Sequence, residues 1–268
     1  MPLLAVGRER NADVELYYED VGDGPPVVLV AGWPFGHACW EPQVGALVAA
    51  GLRVVTYDRR GFGGSTRAWS GYDGEGQAAD LRLLIRHLGL RGVTVVGHSS
   101  GTAEAARCTA RLAAGRVARL VLASPVVVRP GSELVADLLA AAARHRIAML
   151  DDVLRRFFAV RGEPALDEPT RAHLLHVAAA ASPRGTAEIV RGWSDRALAV
   201  DLARLRVPVL VLHGAEDAFM PYASSGRWVS RTAPAARTVL LADAPHGAPL
   251  THAEEWTAAV LHFIRTTP

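Results

Sequence analysis

One serine is flanked two residues away on each side by glycine, at the end of an apolar, β-branched run: Val95-Val96-Gly97-His98-Ser99-Ser100-Gly101-Thr102-Ala103. The run reads as a strand and the alanine-rich stretch after it as a helix, with only a very tight turn between them. Small residues at Gly97 and Gly101 let strand and helix close on one another. That leaves Ser99 at the tip of a strained turn, beside a helix N-terminus. A serine hydroxyl is a poor nucleophile near neutral pH, so it needs a base, and the base needs an orienting acid. Leu212-His213-Gly214-Ala215-Glu216-Asp217 places a carboxylate just after an apolar strand. Asp243-Ala244-Pro245-His246-Gly247 places an imidazole between the last strand and the last helix. In a parallel sheet these three loops open on the same edge. The candidate catalytic set is Ser99 as nucleophile, His246 as base and Asp217 as orienting acid.

Other residues compete for these roles. Glu216 adjoins Asp217 and Asp243 lies near His246, so either is an alternative acid. His98 points away from the serine if Ser99 is at the tip, and reads as packing. His173 and His176 have the i, i+3 spacing of metal ligands but no Cys, Asp or Glu pattern beside them, so no metal is expected. Acyl transfer also needs N–H donors for a tetrahedral oxyanion. The expected pair is the Ser100 backbone N–H and the Trp33 N–H, in Ala31-Gly32-Trp33-Pro34-Phe35-Gly36, where Gly32 lets the chain bend and Pro34 has no N–H. His37 in the next turn reads as structural. Asp58-Arg59-Arg60-Gly61-Phe62-Gly63-Gly64-Ser65 follows a strand, but it lacks the third glycine of a dinucleotide fingerprint and no helix pattern starts there. It is expected to brace the serine turn, with Asp58 and Arg59 in ion pairs or turn hydrogen bonds. No cofactor is expected, and Phe62 is a pocket candidate.

The elements that must position these groups alternate between strand and helix, the pattern of a mostly parallel sheet covered on both faces. Strands are expected at Val14–Glu19, Val27–Val30, Arg53–Tyr57, Val93–Val96 and Leu120–Ala123. Helices are expected from Trp40 to Ala50, from Gln77 to Leu88 on the face Leu81, Leu84, Ile85 and Leu88, and from the serine turn to Ala113. Alternation stops at Pro125. Helical patterns then run to Arg206: Glu133 to Arg144 after Ser132, a segment with Val153 and Phe157 after Asp151, Pro169 to His176, and Ser182-Pro183 to Trp193. Strands resume at Val207–Leu212 and Thr238–Leu241, and a helix spans Ala253–Ile264. The expected domains are a core of residues 1–124 and 207–268, and a helical cap of residues 125–206. Met149, Phe157, Phe158 and Trp193 lie on the cap, and either wall an apolar substrate cavity or bury the cap onto the core.

With 268 residues, half of them hydrophobic, the chain has enough apolar surface for a sizeable core. All 29 basic residues are Arg against 27 acids, for a formal charge of +2. The absence of Lys reads as base-composition bias, and the even scatter of charge argues against a nucleic-acid partner. No apolar run reaches membrane-spanning length and the first residues are too short for a signal peptide. Cys39 and Cys108 form no disulfide framework. A soluble cytoplasmic protein acting on a small molecule is expected; nothing in the pattern specifies an oligomeric state.

With these residues in place the chain resembles the α/β-hydrolase superfamily over nearly its whole length. Within it, the chain is similar to the cofactor-free (non-haem) haloperoxidase, perhydrolase and esterase group. The carrying segments are Gly32-Trp33-Pro34 with His37 and Trp40-Glu41-Pro42-Gln43, Tyr57-Asp58-Arg59-Arg60-Gly61-Phe62-Gly63, Gly97-His98-Ser99-Ser100-Gly101, His213-Gly214-Ala215-Glu216-Asp217, and Ala244-Pro245-His246-Gly247 with Thr251-His252-Ala253. Such proteins usually have His-Gly where this chain has Ala31-Gly32, and commonly Phe-Ser-Met-Gly-Gly where it has His98-Ser99-Ser100-Gly101-Thr102. The resemblance implies a twisted sheet with helices on both faces and a serine hydrolase cleaving a small, largely apolar ester or lactone through an acyl-enzyme on Ser99. The same triad serves perhydrolysis and C–C cleavage. A non-hydrolytic or ligand-binding role in natural-product assembly is the third reading.

Overall fold

The structure, a computed structural model, describes residues 2–113, 115–234 and 236–267. The chain opens with an antiparallel pair, β1 (Leu3–Glu9) and β2 (Ala12–Val21). Then come β3 (Pro26–Val30), α1 (Glu41–Ala49), β4 (Arg53–Tyr57), α2 (Gly74–His87), β5 (Val93–His98), α3 (Gly101–Arg107) and β6 (Val117–Ala123). Between β6 and β9 the chain forms α4 (Glu133–Phe157), a short hairpin of β7 (Ala159–Val160) and β8 (Glu163–Pro164), α5 (Glu168–Ala179), α6 (Pro183–Gly192) and α7 (Ala197–Ala203). It closes with β9 (Val209–Gly214), α8 (Gly226–Thr232), β10 (Ala236–Leu241), α9 (Ala248–Thr251) and α10 (Ala253–Thr266).

Eight strands form one sheet in the order β1-β2-β4-β3-β5-β6-β9-β10, parallel from β4 onward. β5 is buried along its whole length, as a strand covered on both faces must be. Its side chains alternate between two cores. Val95 joins Leu81, Leu84 and Ile85 of α2 on one face. Val96 joins Trp33, Trp40 and Trp256 on the other. The apolar stripe expected on α2 is thus the stripe that is buried, apart from Leu88, which stays partly exposed at the helix end.

Helix starts follow their capping residues. Asp73 accepts the Glu75 and Gly76 N–H groups at 3.0 and 2.8 Å, so α2 begins three residues before the expected Gln77. Asp167 caps Thr170 at 2.7 Å and Ser182 caps Gly185 at 3.2 Å. The expected pair of helices after Ser132 is one long element broken at His145 (φ −159°, ψ 84°). There the His145 Nδ1 accepts the Ala148 N–H at 3.1 Å and restarts the helix. Asp151, expected to be that cap, instead pairs with Arg155 and Arg171. β1, the β7–β8 hairpin, α7, α8 and α9 have no counterpart in the sequence reading: β1 is a half-exposed edge strand, and the others are seven residues or shorter. Among the described residues no helix is long and apolar enough to cross a membrane.

Candidate active site

Only Ser99 and Ser100 separate β5 from α3, and Ser99 has φ +53°. A non-glycine residue in that left-handed region is strained by about 1–2 kcal/mol or more. The turn is held from both sides. The Ser99 N–H donates to the Ala123 carbonyl at 2.9 Å, and the Thr102 hydroxyl donates to the Ser99 carbonyl at 2.6 Å. The flanking glycines are required by close approach. A Cβ on Gly97 would lie 2.7 Å from the Gly101 oxygen, and one on Gly101 would lie 2.7 Å from the Val30 and Ala31 oxygens.

The loops after β9 and β10 deliver Asp217 and His246 to this turn. His246 Nε2 lies 2.9 Å from Ser99 Oγ, and His246 Nδ1 lies 2.8 Å from Asp217 Oδ2. All three residues are buried. An ionised carboxylate can only accept, so Nδ1 carries the ring proton and Nε2 is left to accept from the serine hydroxyl. Asp217 Oδ1 is fixed by the Phe219 and Met220 N–H groups at 3.0 and 2.7 Å. Burial alone would raise the Asp217 pKa. The charge of His246 and hydrogen bonds from His213 and His246 outweigh it, so the carboxyl titrates below its ordinary range. The alternative acids are elsewhere: Arg161 holds Glu216 at 3.2 Å and Asp243 at 2.6 Å, on the surface.

Two histidines support the set without belonging to it. His98 donates from Nε2 to the His246 carbonyl at 3.0 Å, so the residue expected to be simple packing anchors the backbone of the candidate base. Burial, with the adjacent His246 charge, lowers its pKa to about 3, which keeps it neutral. His213 lies 2.8 Å by Nε2 from the Met220 carbonyl and 3.2 Å from Asp217 Oδ2. His173 and His176 are exposed on α5, far in character from a buried ligand set.

The expected oxyanion donors are in a different state from the one the sequence suggests. The Trp33 N–H donates to the side-chain oxygen of Ser100 at 2.9 Å, so this donor is already engaged. The Ser100 N–H has no protein acceptor among the described residues. The same Ser100 oxygen accepts from Arg59 Nη1 at 3.2 Å. Arg59 is buried and forms no ion pair among the described residues; its other contacts are Gln77 Oε1 at 3.3 Å and the Phe62 ring 5.3 Å from the guanidinium carbon. Of the two expected modes, ion pair or turn hydrogen bond, Arg59 has the hydrogen bond, a link to the serine turn. Asp58 does brace its loop, accepting the His37 N–H at 2.7 Å and the Gly64 N–H at 2.8 Å.

Of the aromatic pocket candidates, Phe157 touches the site directly, its ring centroid 4.5 Å from that of His246. Trp193 stands 5.3 Å from the Trp33 ring. Phe158 packs one step back, against Phe157 and Phe35. Phe62 lies under Arg59, and Met149 lines a separate cavity of about 360 Å³ along α4. The ring the sequence reading missed is Phe219, 5.2 Å from His246 and 4.4 Å from Phe157. Its signal was its place two residues after Asp217, inside the turn whose N–H groups the aspartate binds. Trp33, Phe157, Phe219 and Trp193 together make an apolar surround for Ser99, with the helices between β6 and β9 supplying two of the four.

A sequence profile of the alpha/beta hydrolase fold matches residues 25–253. A bromoperoxidase from Bacillus anthracis has a crystal structure that superimposes with a TM-score of 0.93 and 35% identity, covering 98% of this chain and 99% of that one. A non-heme chloroperoxidase of Kitasatospora aureofaciens is 33% identical over 87% of this chain and 89% of its own length. A bifunctional esterase/perhydrolase of Acinetobacter calcoaceticus is 30% identical over 94% and 97%. The sheet order, the serine turn and these similarities have one conclusion: the chain belongs to the α/β-hydrolase family, among relatives named as non-heme haloperoxidases and esterases.

Proposed function

We propose that the protein is a serine hydrolase that cleaves a small ester or lactone, largely apolar around the scissile carbonyl, through an acyl-enzyme on Ser99. The observation that carries this reading is the buried hydrogen-bonded chain from Ser99 Oγ through His246 to Asp217. Ser99 attacks the carbonyl carbon while His246 Nε2 takes its proton. Asp217 holds the imidazole in the required tautomer and stabilises the imidazolium that forms. The Ser100 N–H, and the Trp33 N–H once the Ser100 hydroxyl turns away, hold the tetrahedral oxyanion. His246 then gives its proton to the leaving alkoxide, and a water activated by the same nitrogen cleaves the acyl-enzyme. In this reading residues 125–206 act as a cap, supplying Phe157 and Trp193 to exclude water.

The names of the relatives favour a second outcome for the same intermediate, in which hydrogen peroxide replaces water and the product is a peracid. Replacing Ser99 by Ala is expected to lower kcat on short-chain p-nitrophenyl esters by at least about 10⁴-fold. It is also expected to abolish labelling by a fluorophosphonate while circular dichroism stays unchanged. Turnover unchanged in that variant would refute the acyl-enzyme reading. Peracid yield measured beside ester hydrolysis in added peroxide separates the two acceptors.

A further inference from the structure

A groove of about 1250 Å³ runs along the outside of α7 and α8. Trp193 and Phe219 are among its lining residues, and Phe219 lies against His246. The groove therefore ends at the rings that cover the candidate triad. Its charge is one-sided. Arg129, Arg196, Arg227 and Arg231 line it, all four exposed. None of the four side chains forms an ion pair among the described residues. Among the described residues the lining has one acid, Asp195, which is held by Arg107 at 2.5 Å. Over the whole chain arginines and acids nearly balance, 29 against 27, so four uncompensated guanidinium groups in one concavity are a local departure. Outside the lining, Arg156, which pairs with Asp152 at 3.9 Å, stands 5.3 Å over the Phe219 ring.

We propose that this groove binds the far end of the substrate, and that the substrate is an ester carrying a carboxylate remote from its scissile carbonyl. This rests on the hydrolase reading above. Two environments in series argue for it. Around Ser99 the walls are buried aromatic rings, where an unpaired charge is heavily penalised. Outside them lies a wide hydrated groove whose guanidinium forks match a carboxylate in shape and charge. A molecule that satisfies both is apolar where it reacts and anionic where it trails. Same-sign charges lining a cleft also raise the local concentration of an oppositely charged ligand, an effect that salt removes.

The test compares mono-p-nitrophenyl adipate with p-nitrophenyl hexanoate, which differ by the terminal carboxylate. At low ionic strength the adipate ester is expected to have a kcat/KM at least about 5-fold higher, and the preference is expected to fall towards unity in about 0.5 M NaCl. In the double variant Arg227→Gln, Arg231→Gln the adipate ester is expected to lose that advantage through KM, with hexanoate unchanged. Equal kcat/KM values at low salt, or equal losses for both esters in the double variant, overturn the proposal. A binding arm is independent of turnover: titration calorimetry with adipic acid monohexylamide, which the hydrolysis assay does not require to be cleaved. Salt-sensitive binding that weakens several-fold in the double variant is expected even if neither ester is hydrolysed, in which case it is the hydrolase reading that fails. Binding that ignores both salt and the substitutions overturns the groove as an anion site.

Discussion

Ser100 carries two functions that pull against each other. Its backbone N–H is a candidate oxyanion donor, while its hydroxyl occupies the other candidate, the Trp33 N–H, at 2.9 Å. Before that N–H can serve a transition state, the Ser100 hydroxyl must rotate away and its hydrogen bond must break. A net hydrogen bond is worth about 0.5–1.5 kcal/mol, or roughly 2- to 12-fold in rate. Ser100→Ala removes the competing acceptor, so kcat on p-nitrophenyl acetate is expected to rise about 3- to 10-fold. A steady-state comparison with wild type checks it, and an unchanged or lower kcat counts against the competition. The sequence reading could choose Trp33 and Ser100, since both follow from backbone chemistry. It could not see that a side chain would reach the same N–H, because that depends on one rotamer in the folded turn.

At the scale of elements, the helices before and after β6 are joined by charge. Asp201 on α7 is fully buried and accepts from Arg107 Nε at 2.9 Å, at the end of α3, and from Arg111 Nε, on the π-helical turn (Cys108–Leu112) that continues α3. Asp195 takes a second nitrogen of Arg107. Removing one partner of a buried ion pair strands the other charge and costs about 3–5 kcal/mol. Asp201→Ala is therefore expected to lower unfolding free energy by about that much in urea titrations. A loss under about 1 kcal/mol would mean the arginines find water instead. Elements with a period and a cap were legible beforehand: the Leu81, Leu84, Ile85 stripe, the Ser182-Pro183 start, the apolar run into Ser99. Those that depend on distant partners were not. α7 is a two-turn helix whose stability comes from arginines some ninety residues earlier, and the break in α4 rests on a histidine imidazole acting as a cap, a role its residue type does not advertise.

For the molecule as a whole, four buried or half-buried groups set the response to pH. One of them, Glu104, is pushed up to about 7 by burial, so its contribution is present below pH 4.5 and is lost as pH rises towards 7. His98 is held neutral in the folded state, with its pKa lowered to about 3 by burial. The unfolded chain binds that proton near 6.5, so between pH 6.5 and about 3 unfolding takes up a proton and stability falls as pH falls. Asp217 has a lowered pKa, so its contribution is present above the ordinary aspartate value and lost only at still lower pH. His37 runs the other way. Its hydrogen bond to Asp58 raises its pKa, with burial opposing, so its contribution is present below 6.5 and is lost as pH rises through the raised value. Between about pH 4.5 and 6.5 the His98 and Glu104 contributions oppose each other, so the acid-side fall in thermal stability is expected below pH 4.5, where only His98 and Asp217 remain to lose stability. His98→Gln, which keeps a donor for the His246 carbonyl, is expected to lessen the fall in Tm between about pH 4.5 and 3. An equally steep fall in the variant assigns the acid sensitivity to other groups. The order Ser99, Asp217, His246 made the candidate site's edge of the sheet readable from sequence, but the charge of the groove was not readable, since its arginines come from separate segments and meet only in the fold.

The ladder between β6 and β9 has a consequence for how the protein comes into being. These strands are hydrogen-bonded neighbours, yet some eighty-five mostly helical residues separate them along the chain. The entropy of closing so long a loop grows only slowly with its length, but long-range pairing of this kind delays folding. Synthesis runs from the N-terminus, and β9 and β10 are the elements that bring Asp217 and His246 to the serine. A nascent chain that has finished the serine turn still has neither its base nor its acid. Under the proposed mechanism it is chemically silent until its last quarter docks, so reactivity appears only together with the completed sheet.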